Sequence, residues 1–322
     1  MKAFVSVLLV GATLMLPGWA ATTNLYSTQF ENAEGFSASF DLAGQQGWNL
    51  EGSGGNGLIA NGLEGQSAYI GFAPPNPADD SLILYRPINF NPSTGNYPIV
   101  KFSVLVNLQD STNGRYDIFR WSVFNQNLDR LFLIDFDNDY LDVSYRLDGT
   151  NRTVFTSLLL TNKSNYQLDV TMNFAANRWS ATLNNKPIAT NQFITTINAP
   201  LNLGDIDAVW LVNQITYTNG LGQAITTNAP GNNYMIFDNY RITAETIPIS
   251  PARVNFLGRT GEGWSLLRVS GTDGLRWAVD ATTNLTQWTA LKTNLISGGS
   301  FDLVDTTAAG QPRRFYRARL AP

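Results

Sequence analysis

Residues 130–149, RLFLIDFDNDYLDVSYRLDG, decide the fold class. Apolar and polar side chains alternate along both halves of this stretch, the period of a strand buried on one face, and Asn138-Asp139 between the halves is a turn dipeptide. A two-residue loop there predicts Phe136 opposite Leu141, Ile134 opposite Val143 and Phe132 opposite Tyr145 on the core face, with Asp135 opposite Asp142 on the other. The preceding run, Asp117 to Asn125, sets Phe119, Trp121 and Val123 inward and Arg120 and Ser122 outward. Arg120, Asp135, Asp142, Ser144 and Arg146 then share one exposed sheet surface.

The same alternation recurs along most of the 322 residues. Ile99 to Val106 alternates Phe102, Val104 and Val106 with Lys101 and Ser103, and Tyr166 to Phe174 alternates Leu168, Val170, Met172 and Phe174 with polar residues. ANRWSATLNNKPIA, from Ala176, predicts a hairpin turning at Asn184-Asn185, and the nearly continuous apolar run Ile206 to Val212 predicts a strand buried on both faces. Asn213 to Asn233 reads as a polar loop before a last long strand, Tyr234 to Thr243. With about thirteen such runs, frequent turn signals and no helical period, the chain is expected to be all-β, with two packed antiparallel sheets.

The first twenty residues carry Lys2, an apolar run from Phe4 to Leu16 and small residues at Gly18 and Ala20, the pattern of a cleaved signal peptide. The mature chain is expected to begin at Ala21 and to be secreted, either outside the cell, in a periplasm or at the cell surface, with no membrane span of its own. No Cys is present, so stability must come from burial and sheet hydrogen bonds. The absence of His removes the usual general base and the commonest metal ligand, which weighs against most hydrolases.

Charge divides the chain. Residues 21–249 hold 11 Lys plus Arg against 20 Asp plus Glu, whereas residues 250–322 hold 9 against 5. An acidic large part argues against nucleic acid as its partner. The Pro-containing TIPISPA marks a linker over 247–252, dividing a domain over 21–246 from a small one over 253–322. Five strands are expected in the small part, with Trp264, Trp277 and Trp288 at its core.

FENAEGF (residues 30–36), NRWSATLNN (177–185) and MIFDNYRIT (235–243) resemble the first strand, a middle hairpin and the last strand of concanavalin A-like jelly-roll modules, the laminin-G-like superfamily. RWAVDATTNLTQW, GGSFDLVD and PRRFYRARL resemble a small β-sandwich-like C-terminal module that recurs in secreted bacterial proteins. The first resemblance implies carbohydrate or another surface ligand as the partner. It also implies a structural Ca²⁺ beside a Glu of the first strand and an Asp of the last, here Glu31 and Asp238.

Candidate ligand-binding residues are Arg120, Asp135, Asp142 and Arg146 on the polar sheet face, with Tyr140 beside the turn and Trp48 in the Gly-rich segment as stacking groups. Facing carboxylates at Asp135 and Asp142 require neutralisation, by the two arginines or by a ligand or Ca²⁺. Glycoside hydrolases on the resembled sandwich carry Glu-x-Asp-x-x-Glu, whereas this chain has Asp135, Asp137 and Asp139 with no Glu in the strand. The expected function is therefore non-catalytic binding. A glycoside hydrolase or polysaccharide lyase, and a structural surface protein without a glycan ligand, remain as alternatives. Oligomeric state is not legible.

Overall fold

The structure is a computed structural model and describes residues 20–93, 96–148, 150 and 152–321; nearly all of the expected leader peptide therefore lies outside the described residues. In chain order the large part carries β1 (Thr22–Thr28), β2 (Asn49–Gly52), β3 (Asn56–Ile59), β4 (Ser67–Gly71), β5 (Ser81–Tyr85) and β6 (Ile99–Gln109). β7 (Ile118–Phe124), β8 (Arg130–Asp137), β9 (Asp142–Leu147), β10 (Val154–Leu159), β11 (Asn165–Asn173), β12 (Arg178–Leu183) and β13 (Lys186–Phe193) follow. β14 (Asp205–Leu211), β15 (Gln214–Thr218), β16 (Ala224–Asn228) and β17 (Tyr234–Glu245) complete it. The small part carries β18 (Arg253–Arg259), β19 (Ser265–Ser270), β20 (Arg276–Thr282), β21 (Thr289–Leu295), β22 (Ser300–Asp305) and β23 (Phe315–Leu320).

Two antiparallel sheets form the large sandwich. One runs β13-β12-β11-β6-β17-β4-β3, with β1 also pairing β17; the other runs β10-β9-β8-β7-β14-β5-β2. Their inner faces meet in one core whose largest buried side chains include Trp121, Trp179, Trp210, Phe102, Phe237 and Tyr240. The Phe132 and Trp179 rings stack at 3.9 Å between centroids. β14 is buried on both faces, as its apolar run predicts.

The central hairpin keeps its predicted faces but not its predicted register. Phe136 pairs with Val143, Ile134 with Tyr145, Asp135 with Ser144 and Asp137 with Asp142, so Asp135 does not face Asp142. The loop has four residues, Asn138 to Leu141, rather than two. Asp137 Oδ1 accepts the backbone N–H groups of Asp139 at 2.8 Å and Tyr140 at 3.1 Å, and Leu141 takes the left-handed conformation at φ 54°. A side-chain acceptor for two loop donors outcompetes a turn that needs positive φ at both central residues. The slip is by two residues, the strand period, so every side chain keeps its face.

That conservation of faces has an expected result. Val143 is fully buried in the core and Ser144 lies on the opposite surface. Val143→Asp should cost more than about 4 kcal/mol, because an unpaired carboxylate enters an apolar core. Ser144→Asp should cost clearly less, because its carboxylate lies on the outer face two residues from Arg146, although it meets Asp135 directly across the pair. Urea denaturation of both variants checks the assignment, and equal losses would reverse it.

The small part forms two three-stranded sheets, β18-β19-β22 and β21-β20-β23, around Val254, Leu267, Val269, Val279, Ala281, Leu303 and Tyr316. Three expectations are corrected here. There are six strands, β21 being the one not foreseen, and the tryptophans do not form the core: Trp264 and Trp288 are half-buried, and Trp277 is buried outside that cluster. Arg317 instead lies over the Trp288 ring, 4.3 Å from its centroid. In the large part the polar loop over 213–233 contains the β15-β16 hairpin.

Candidate functional site

The outer face of the seven-stranded sheet collects the polar residues. On β7 and β8 Arg120 stands opposite Asp135, and the pair is bidentate, Nε donating to Oδ1 at 2.6 Å and Nη2 to Oδ2 at 3.1 Å. Both residues are nearly buried, at 8% and 7% exposure. Arg146 on β9 reaches the same carboxylate at 3.9 Å. Burial, with the charges of Arg120 and Arg146 adding to it, pushes the nearby Arg130 guanidinium below its usual range. Three of the expected site residues thus come together, around Asp135.

The others separate. Asp142 sits one step along the strand, opposite Asp137, and burial together with the charges of Asp137 and Asp135 raises its pKa. Tyr140 is exposed in the loop at the end of those strands. Trp48 is a correction: it is 1% exposed, packs on Phe30, Phe237 and Tyr240, and its Nε1 donates to the Tyr26 hydroxyl at 3.2 Å, so it cannot stack on a ligand.

Glu31 and Asp238 lie together elsewhere, where β17 exchanges β4 for β1 along one edge. The Glu64 N–H donates to Asp238 Oδ2 at 3.3 Å, the Ser67 hydroxyl to the same oxygen at 2.7 Å, and the Gln66 N–H to Glu31 Oε1 at 3.0 Å. Burial raises the Asp238 pKa, and the charge of Glu31 adds to the rise.

Sequence reasoning missed the most perturbed acids on the outer face. Asp205 and Asp207 lie two apart on β14, pointing away from Ile206 and Ala208, which face the core. Their exposures are 8% and 6%. Desolvation pushes Asp205 up to about 6 and Asp207 up to about 9, the Asp207 rise being increased by the charge of Asp205 and by Glu51. One carboxyl oxygen of each, Oδ1, is buried without a hydrogen-bond partner among the described residues. The signal was in DIDAVWLV: a strand buried on both faces that carries two acids on one of them must either pair them or neutralise them. Ser122 stands opposite Asp207, and Glu51 lies two strands away across β5.

No family model matches this chain, and no curated protein matches it. It is similar to solved structures of a CBM2 module of Lactobacillus casei BL23 phage J-1 evolved Dit (10% identity, 72% of this chain and 99% of that one, TM-score 0.46). It is also similar to basic winged bean lectin with Tn-antigen (9%, 70% and 98%, TM-score 0.44). A third similar structure is a sialidase (13%, 61% of this chain, TM-score 0.41), of which the match spans only 17%. At such identities the sites of those proteins do not transfer to this chain.

Proposed function

We propose that this chain is a secreted, non-catalytic binding protein of the concanavalin A-like, laminin-G-like kind, which recognises carbohydrate on the outer face of its seven-stranded sheet. One observation carries the reading. Asp205 and Asp207 are more than nine-tenths buried on that face, and Oδ1 of each is buried with no hydrogen-bond partner among the described residues, with Ser122 opposite Asp207. Buried polar groups are otherwise nearly always satisfied, and a polyhydroxylated ligand supplies donors and acceptors together. Residues 21–246 form the binding domain in this reading, and residues 253–322 a separate one.

The hydrolase alternative has two acids whose pKa values are pushed apart, a feature of acid–base sites. Retaining and inverting glycosidases hold their carboxyls roughly 5–5.5 Å and 6.5–9.5 Å apart. Asp205 and Asp207 share one face of a single strand, two residues apart, rather than flanking a cleft from two sides, and Asp135 is engaged by Arg120. A glycan array of the whole chain tests the reading. Binding without release of reducing ends is expected; release that Asp207→Asn abolishes would establish the enzyme, and no binding at all would leave a structural surface protein.

The Glu31 and Asp238 carboxylates, converging on one loop with the Asp238 pKa raised, suit a hard oxygen-seeking cation. We propose that they hold a structural Ca²⁺. Chelator should then lower the melting temperature, because an ion bound only by the folded state stabilises it by mass action. A melting curve unchanged by chelator would contradict the site.

A further inference from the structure

Among the described residues no cation forms an ion pair with Asp205 or Asp207. Arg120 gives the Nε and Nη2 edge of its guanidinium to Asp135, and Arg146 leans on the same carboxylate. The charged group that bears on both β14 acids is another acid, Glu51. Behind the sheet Tyr240 donates its hydroxyl to the Ile206 carbonyl at 3.0 Å and offers them nothing. Opposite Asp207, Ser122 is 2% exposed, and its hydroxyl has no protein partner among the described residues. Two buried carboxyls, raised by desolvation and each with an unpartnered Oδ1, therefore stand side by side with Ser122 opposite one of them.

A sugar hydroxyl laid on this floor brings a hydrogen bond but no charge. A protonated amine brings several N–H donors and a full positive charge, and charge-assisted bonds are about twice as strong as neutral ones. It also turns two repelling acids into partners of one cation, which lets the proton on Asp207 leave. We propose that the floor formed by Asp205, Asp207 and Ser122 takes a primary ammonium group, so that the recognised carbohydrate carries unacetylated 2-amino-2-deoxy sugars. The inference rests on the carbohydrate-binding reading and names its ligand class. On binding, the amine nitrogen keeps its protons, the proton held by Asp207 passes to buffer, and both acids become carboxylates.

Isothermal titration of the whole chain with three tetramers, of glucosamine, of N-acetylglucosamine and of glucose, tests it near pH 6, where the amine is protonated. The glucosamine tetramer should bind at least about tenfold more tightly than the other two. Its heat should change with the ionisation enthalpy of the buffer, reporting the released proton. Asp207→Asn, which keeps the shape of the protonated acid but cannot ionise, should lose both the preference and the proton release while its melting temperature is retained. Equal affinity for all three tetramers, or a preference unaltered in Asp207→Asn, overturns the amine inference and leaves the carbohydrate reading standing. Binding of none of the three also overturns it, and the glycan array then judges the parent reading separately.

Discussion

At pH 8, Asp207→Asn should melt higher than the parent protein, by roughly 4–8 °C, although it removes a nearly buried acid. The sign follows from linkage. Burial holds the folded-state pKa of Asp205 at about 6 and of Asp207 at about 9, whereas an unfolded aspartate titrates near 3.9. The folded state therefore binds more protons than the unfolded state between about pH 4 and pH 9, and stability falls as pH rises through that window. A displacement of about two pKa units at one site already corresponds to roughly 2.7 kcal/mol. Asn in place of Asp207 has no proton to lose, so the decline should flatten above pH 6 while the two proteins melt within about 1 °C of each other near pH 5. Melting curves across this range check it, and parallel curves would show that Asp207 holds no proton.

Arg120→Ala should cost about 3–5 kcal/mol. It strands the Asp135 carboxylate, 7% exposed, with only Arg146 at 3.9 Å to answer it. The comparison is Arg268→Ala in the small part. Arg268 makes an equally bidentate pair with Asp302, but the two side chains are 48% and 44% exposed, so loss of this pair should barely move the urea midpoint. The chemistry is the same and solvent decides the difference. Urea midpoints with unchanged m-values measure both, and similar losses would mean that water reaches the Arg120 pair freely.

Strand faces were legible from residue alternation because the period of two survives a register slip of two. Loop geometry was not, since it turned on one Asp137 oxygen capturing two N–H groups. Trp48 was misplaced for a related reason. Its Gly-rich neighbours suggest an exposed loop, but Trp48 stands at the entry to β2 with its indole against Phe30 and Tyr240. The β15-β16 hairpin also alternates, with Tyr217 opposite Ile225 and Thr216 opposite Thr226, in a composition polar enough to read as loop. The acids of β14 were visible as letters and hidden as a site, because their meaning depends on Ser122 and Glu51, brought beside them only by the order of strands.

The claim that the outer face of the seven-stranded sheet is the binding surface meets its most direct test at Ser122. This residue lies on the floor of that face between Asp207 and Leu133, pointing away from the core. Ser122→Tyr puts a ring where the ligand would lie. With the glycan that the parent binds, the variant should lose at least about tenfold in affinity, measured below its own melting transition because Ser122 is only 2% exposed. Undiminished binding by a folded Ser122→Tyr would place the ligand elsewhere and contradict the account.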